Sequence, residues 1–403
     1  MELINKSVIE INHTDFVPVL EPIFSHEIGE ELGTDLLLIL NKYKRTIDKI
    51  HNIKKWDFYK KMSNPFELIN KYIKAKNLNL GLANYNPISR AFFKFWEILF
   101  DFNLIDNSNT SMVYAALAEG PGGFIDAFNF YRNKYSSRTN DVINCITLKG
   151  NENDNIVPEL KRIFGCRYNI SRGEDNTGNL YRLPNIKHFS KLFIENKADL
   201  VTADGGFDFS DDYVNQEINM TQLIFCEIIT GLSILKRGGH MVIKIFDIFR
   251  NSTVEIVYLL SLYFKKIYIT KPFTSRPANN EKYIICKDFL GIDQVILEEL
   301  YQTVTLLDEH SDQFLQTFLG VEVPDDFKKI IESYNYHSVV QQLKFIIKTN
   351  LYIKENLFNE DYNEINKKQC IHSLSWCVKY DFDINKKCKY LDSNNRYNYI
   401  PNF

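Results

Sequence analysis

Residues 113–124 read Val113-Tyr114-Ala115-Ala116-Leu117-Ala118-Glu119-Gly120-Pro121-Gly122-Gly123-Phe124, and a helical stretch continues to Tyr131. A short apolar run that ends in small residues and reopens as a helix is a strand, a tight turn and a helix, the first half of a βαβ unit. Glycines in such a turn let a ligand approach the backbone, and the helix start offers free N–H groups. The turn is neither GxGxxG nor a Walker loop, because no Gly-Lys-Ser/Thr follows it. A nucleotide-like ligand therefore has to be argued from the residues around it.

On either side the chain alternates apolar runs with helical stretches. Val142 to Leu148 is a second strand, and Leu200 to Ala203 is another, preceded by a helix around Lys187 to Glu195. Residues 214–235 have helical periodicity, and Arg237-Gly238-Gly239 stops that helix before a strand from His240 to Phe246. Val254 to Phe264 reads as a helix, Lys266 to Thr270 and Tyr283 to Cys286 as a closing strand pair, and the chain beyond about 296 as mostly helical. This is an α/β pattern with a parallel sheet. It predicts a helical N-terminal extension with a basic patch over 1–80, a central domain over 81–296, and a mostly helical region over 297–403.

The 403 residues carry 48 Lys+Arg and 51 Asp+Glu, a net charge of −3, with 45% apolar and 14% aromatic residues. Wholesale disorder and fibrous repeats are excluded, as is a protein that coats nucleic acid through bulk positive charge. The total hides structure. Residues 41–76 hold eleven Lys/Arg against three Asp/Glu, interleaved with Tyr43, Trp56, Phe58 and Tyr59, a pattern suited to RNA contact or to a solvated helix face. Residues 293–329 hold nine acids and two lysines, read as a solvated face. The N-terminus has no apolar signal-peptide core, and the run Val254 to Phe264 is too short to span a bilayer. Seven cysteines without a CxxC pair read as reduced thiols in a cytosol-like compartment. Cys370, His372, Cys377 and Cys388 have spacings that match no zinc knuckle or finger, so buried helix cysteines and no metal are expected.

The residues that carry chemistry lie at strand ends. Ala203-Asp204-Gly205-Gly206-Phe207 projects Asp204 over the carboxyl edge of the sheet, where α/β folds place ligands. Gly238-Gly239-His240-Met241-Val242-Ile243-Lys244 puts a lysine in an apolar strand, costly unless it is paired, working, or snorkelling at the strand end. Glu281 stands at the entrance of the last strand, after Thr274-Ser275-Arg276-Pro277-Ala278-Asn279-Asn280, and Lys94 follows Ile88-Ser89-Arg90-Ala91-Phe92-Phe93 on a helix.

Together these pieces resemble the FtsJ-like RNA ribose 2'-O-methyltransferases, and within them the mRNA cap-1 branch, including versions carried by large cytoplasmic DNA viruses. The resemblance runs from Asn64-Pro65-Phe66-Glu67-Leu68-Ile69 to Lys287. Its cap-type stretches are Ile146-Thr147-Leu148-Lys149-Gly150-Asn151-Glu152-Asn153-Asp154 and Gly238 through Asp247 to Ser275-Arg276-Pro277-Ala278-Asn279. It implies a Rossmann-like seven-stranded methyltransferase sheet with helices on both faces. It also implies a Lys-Asp-Lys-Glu tetrad of Lys94, Asp204, Lys244 and Glu281, and S-adenosylmethionine as cofactor. Gly120, Pro121, Gly122, Gly123 and Phe124 would form the cofactor cradle, Glu119 would address the methionine ammonium, and Asp175 to Asn179 would meet the adenine. Arg90, Ser275 and Arg276 would contact substrate. Capped RNA, and other capping enzymes, are the implied partners, with no membrane or DNA, in the cytoplasm, or in a virion if viral, with the nucleus an alternative. Two departures stand out: Ala116 and Ala118 replace the Asp and Gly of many methyltransferases, and Asn179 stands where Asp is frequent.

Methyl transfer from a sulfonium needs a positioned, activated hydroxyl. Lys244 accepts its proton only if its own pKa is lowered. Burial and Lys94 push that way, and Asp204 and Glu281 push the other way. Lys244 is thus expected as base or steering group, Asp204 as its orienting partner, and Lys94 and Glu281 as positioners of the 2'-hydroxyl and adjacent phosphate. The other readings are an enzyme for ribosomal or transfer RNA and a non-catalytic RNA-binding subunit. A purine platform for a cap has candidates in Trp56, Tyr59 and Tyr85, each equally readable as core.

Overall fold

The computed structural model describes residues 6–50, 53–73, 78–137, 140–150, 166–207, 212–355 and 359–391. The quoted segment Asn151 to Asp154 lies outside the described residues. The chain opens with β1 (Val8–Asn12), β2 (Leu20–Ser25), α1 (Thr34–Asp48), α2 (Ile53–Ser63), the short pair β3 (Tyr72–Ile73) and β4 (Leu78–Asn79), and α3 (Ala91–Phe102). The central run is β5 (Val113–Leu117), α4 (Gly123–Tyr135), β6 (Val142–Ile146), β7 (Arg167–Ser171), α5 (Leu183–Ser190), β8 (Ala198–Ala203), α6 (Gln216–Ile234), β9 (Leu235–Ile245), α7 (Asn251–Tyr263), β10 (Phe264–Thr270) and β11 (Lys282–Phe289). It closes with α8 (Gln294–Glu309), β12 (Phe314–Leu319), α9 (Asp325–Lys354) and α10 (Asn359–Lys379).

The main sheet has the order β1-β10-β11-β9-β8-β5-β6-β7. Strands β7, β6, β5, β8 and β9 are parallel, and β11 and β10 close the sheet in antiparallel fashion. Because both faces are covered, the central strands are apolar on both sides rather than alternating. Ala115, Leu117, Val201, Ala203, Ile243 and Ile245 face the layer of α5, α6 and α7, whereas Tyr114, Ala116, Leu200, Val242 and Tyr283 face α3, α4 and α10. The expected seven strands are eight. The extra one is β1, which pairs antiparallel with β10 from Val8↔Thr270 to Asn12↔Lys266 and covers what would otherwise be an open edge.

The terminal segments fold together. β2 pairs with β12, α9 packs on α1 and α2, and α10 lies against the aromatic face of α3. There the Trp96 indole donates to the Tyr380 carbonyl at 2.9 Å and the Trp376 indole to Glu97 at 3.2 Å. Phe92, Phe95 and Trp96 are fully buried, and complete burial of one such side chain contributes about 1.5–3 kcal/mol. Cys370, Cys377 and Cys388 sit in this same core, with Cys370 and Cys388 donating to the carbonyls of Tyr390 and Leu80. Among the described residues no helix is long and apolar enough to cross a membrane.

Candidate active site

Sheet register builds the site. Leu117 of β5 pairs with Ala203 of β8, Ala203 with Ile243 of β9, and Lys244 with Tyr283 of β11. The residues that follow β5 and β8, Ala118 and Asp204, thus emerge beside Lys244 at the carboxyl edge. Here the strand order reverses, since β5 leads to β6 on one side and meets β8 on the other, which opens a crevice for a ligand. A cavity of about 700 Å³ occupies it, lined among others by Ala118, Gly120, Pro121, Asn179, Asp204, Lys244 and Glu281.

The four tetrad residues form two linked ion pairs. Lys94 Nζ donates to Glu281 Oε2 at 2.7 Å. Lys244 Nζ donates to the Asp204 carbonyl at 2.8 Å and lies 3.4 Å from its Oδ1. Tyr283 Oη donates to Asp204 Oδ1 at 3.0 Å, and Ser275 Oγ to Glu281 Oε1 at 2.8 Å, so both carboxylates are held from behind. Lys271 fixes the backbone below, donating to the carbonyls of Asn279 and Glu281 at 2.7 Å each. Burial pulls the Lys271 pKa down to about 7, although the Glu281 charge opposes it.

The sequence left the balance at Lys244 open, and the surrounding charges weight it one way. Burial works against the Lys244 ammonium, but Asp204, Glu281 and Glu227 outweigh it and raise its pKa above the ordinary lysine value. Lys244 therefore carries its proton in the chain alone. Burial also works against the Glu281 carboxylate, but Lys94, Lys244 and Lys271 bring its pKa down to about 2.

Behind the site, acids crowd together. Glu119 turns its carboxyl inward, where it accepts from Thr202, and burial followed by Asp204 and Glu227 pushes its pKa well up. Glu227, on α6, is fully buried, and neither of its carboxyl oxygens has a well-formed hydrogen bond among the described residues. Burial raises it to about 8, opposed by Lys244 and reinforced by Asp204. A group whose folded pKa is raised stabilises fully below its unfolded value, about 4.3, and that contribution is lost as pH climbs through the folded value. Glu227→Gln should therefore melt above the wild type at pH 8.5, with the gap narrowing toward pH 5. Parallel melting curves at all pH values would contradict this.

The other expected residues divide. Gly120, Pro121 and Asn179 line the cavity, and Asn179 Oδ1 accepts the Tyr181 N–H at 2.9 Å. Gly178, with φ +71°, lines it too, and a Cβ there would strike the Thr147 carbonyl. Gly122 caps α4, while Gly123 serves packing: a Cβ would collide with Ser89 Oγ and the Ala91 methyl at the start of α3. Phe124 stacks on Phe95 at 4.6 Å in the core and is not among the cavity's lining residues. Asp175 closes a turn with Thr177 and Asn185 and faces elsewhere. Arg90 and Arg276 both bind Glu67, at 3.4 and 2.9 Å, away from this cavity. Trp56 lines the cavity, whereas Tyr59 bonds Tyr362 and Tyr85 bonds Asp126.

Sequence reasoning missed Tyr283, Lys271, Glu227 and the knot at Asp247. Asp247 accepts from Lys44 at 2.8 Å, Lys282 at 3.0 Å and Asn280 at 3.0 Å, all buried. Tyr283 and Asp247 stand inside quoted motifs. Lys44 falls in the basic run and turns inward, which charge counting does not reveal.

A parallel sheet closed by an antiparallel pair, with a glycine turn after the first central strand and ion-paired lysines at its carboxyl edge, defines a Rossmann-like methyltransferase. A family model, FtsJ-like methyltransferase, matches residues 87–289, and the chain belongs to that family. Among curated proteins it is 29% identical over 378 residues to cap-specific mRNA (nucleoside-2'-O-)-methyltransferase 1 of Dictyostelium discoideum, covering 89% of this chain and 48% of that protein. It is 27% identical to the Homo sapiens protein of the same name over 323 residues, covering 77% of this chain and 38% of that protein. The chain thus spans about half, or less, of the length of the curated relatives it matches.

Proposed function

We propose that the chain methylates a ribose 2'-hydroxyl next to the 5' cap of mRNA, using S-adenosylmethionine. The observation that carries this reading is the pairing of Lys94 with Glu281 and of Lys244 with Asp204 at the mouth of the cavity below the glycine turn. The names of the relatives support the cap as substrate, and the family supports the reaction type.

The site fits a cationic nucleoside cofactor. Its volume lies within the usual range for small-molecule sites, about 300–1,000 Å³. Asp204, which lines the cavity at the carboxyl edge, offers a carboxylate to a positively charged ligand. Asn179, Gly178 and Gly120 would hold the nucleoside, and the start of α4 would face its carboxylate. S-adenosylmethionine supplies a methyl electrophile whose sulfonium charge also disfavours the neighbouring Lys244 ammonium.

Within that site the chain's own groups do the positioning. Lys94 and Glu281, locked by Ser275, fix the ribose and adjacent phosphate. Asp204, held by Tyr283, keeps Lys244 aimed at the 2'-oxygen. Lys244 Nζ holds that oxygen and, having first released its own proton to solvent, takes up the hydroxyl proton as the neutral amine. Other capping enzymes are proposed partners.

Cofactor binding is testable by melting. At a hundredfold excess over Kd, S-adenosylmethionine should stabilise the chain by about 2.7 kcal/mol, read as a raised Tm. An unchanged Tm up to millimolar concentration would remove the cofactor assignment.

A further inference from the structure

Lys271 and Glu281 are the first and last residues of the connection between β10, which ends at Thr270, and β11, which begins at Lys282. The pairing of Thr270 with Tyr283 brings the two ends of this connection side by side. Residues in such a loop have no sheet ladder to hold them, so a functional group at its end needs other support. The body of the loop is anchored at several points. Glu97 accepts the Phe273 N–H at 2.7 Å, Glu67 accepts from Arg276 at 2.9 Å, and Asp247 accepts from Asn280 at 3.0 Å. None of these contacts reaches the Glu281 side chain.

The Lys271 side chain does so through one hydroxyl. As an ammonium it has three protons to donate. Three acceptors meet them: the Asn279 and Glu281 carbonyls at 2.7 Å each, and Ser275 Oγ at 3.3 Å. The Ser275 hydroxyl in turn donates to Glu281 Oε1 at 2.8 Å, while Lys94 donates to Oε2 at 2.7 Å. Glu281 is thus held at its backbone and at one carboxylate oxygen from the Lys271 side, and at the other oxygen by Lys94. A hydroxyl that accepts from a cation is a stronger donor, so the ammonium tightens the bond from Ser275 to Glu281. Asn279 and Glu281 line the active-site cavity, and Lys271 is not among its lining residues. Lys271 instead lines, with Pro272 and Ser275, a separate cavity of about 40 Å³ that shares Asn279 with the first.

We infer that Lys271 is a positioning residue for methyl transfer: through Ser275 and the loop backbone it sets Glu281, and with it the Lys94 ammonium, where the ribose is received. This rests on the reading of the active-site cavity as a methyl-transfer site, and adds to it a residue that stands outside both the tetrad and the cavity.

The test is a double-mutant cycle in the full chain, assayed with S-adenosylmethionine and a capped RNA. Lys271→Met keeps the length of the side chain and removes every donor. It should lower kcat by about 10- to 100-fold with KM for the RNA unchanged, the pattern of a misplaced group rather than of lost binding. The rise in Tm on adding S-adenosylmethionine should keep its wild-type size. In a Glu281→Gln background the same change should cost less than about twofold, because groups that act as a unit do not add. Ser275→Ala, which cuts the line at its middle, should lower kcat as Lys271→Met does. A lysine that only braces the fold would lower kcat by the same factor in both backgrounds, and that result would overturn the inference. Wild-type kcat in Lys271→Met or in Ser275→Ala would overturn it as well. If Lys271→Met fails to fold, Lys271→Gln, whose amide keeps two of the three donors, takes its place in the cycle. No methyl transfer by the wild type would remove the functional reading and this inference with it, whereas transfer that is indifferent to Lys271 overturns the inference alone.

Discussion

Lys244→Ala is expected to lower kcat for the proposed methyl transfer by about 10²–10⁴, the usual contribution of a positioned proton acceptor. Its ammonium donates to the Asp204 carbonyl at 2.8 Å and is favoured by Asp204, Glu281 and Glu227. Lys244→Arg separates two roles. Arginine keeps the positive charge but never gives up its proton and fills a different shape. If Lys244 acts by accepting the hydroxyl proton, the arginine variant is as inactive as the alanine variant while cofactor-dependent melting persists. Near wild-type activity in Lys244→Arg would reduce Lys244 to an electrostatic anchor, and wild-type activity in Lys244→Ala would end the assignment.

The second large effect is on stability. Asp247→Ala leaves Lys44 and Lys282 as buried cations without their shared counter-ion. Breaking such a buried pair costs about 3–5 kcal/mol, a large share of a domain's net stability. The damage reaches the site, because Asn280 and Lys282, which hold Asp247, flank Glu281. Burial works against the Asp247 carboxylate, but Lys282 and Lys44 depress its pKa well below the ordinary range. A depressed carboxyl stabilises fully above its unfolded value, about 3.9, and that contribution is lost as pH falls below it. The wild type should thus lose stability steeply below pH 4, and Asp247→Ala should start low and show a shallower decline. Denaturant midpoints between pH 2.5 and 7 read both. A variant within 1 kcal/mol of the wild type at pH 7 would contradict the account.

Much of this site was legible because strand ends are written locally. Asp204 after an apolar run, Lys244 inside one, and glycines between a strand and a helix announce the carboxyl edge of a parallel sheet, and register then brings them together. What escaped depends on long-range packing. Val8–Asn12 alternates as an edge strand does, but its partner β10 is more than 250 residues away, and nothing nearby marks the pairing. The joint pairing of Arg90 and Arg276 with Glu67 likewise joins residues far apart in the chain. Gly123 and Phe124 belong to the glycine motif in sequence and to helix packing in space. Glu227 gave no signal, because a carboxylate in an apolar helix reads as solvent-facing until its burial is known.

The central claim concerns where a methyl group is placed. The direct measurement uses S-adenosylmethionine labelled in its methyl group and a capped transcript, followed by digestion to nucleosides and mapping of the label. The account predicts label on the ribose 2'-oxygen of a cap-proximal nucleotide, and its loss in Lys244→Ala. Label on a base, on the cap guanine or on internal ribose alone would contradict it.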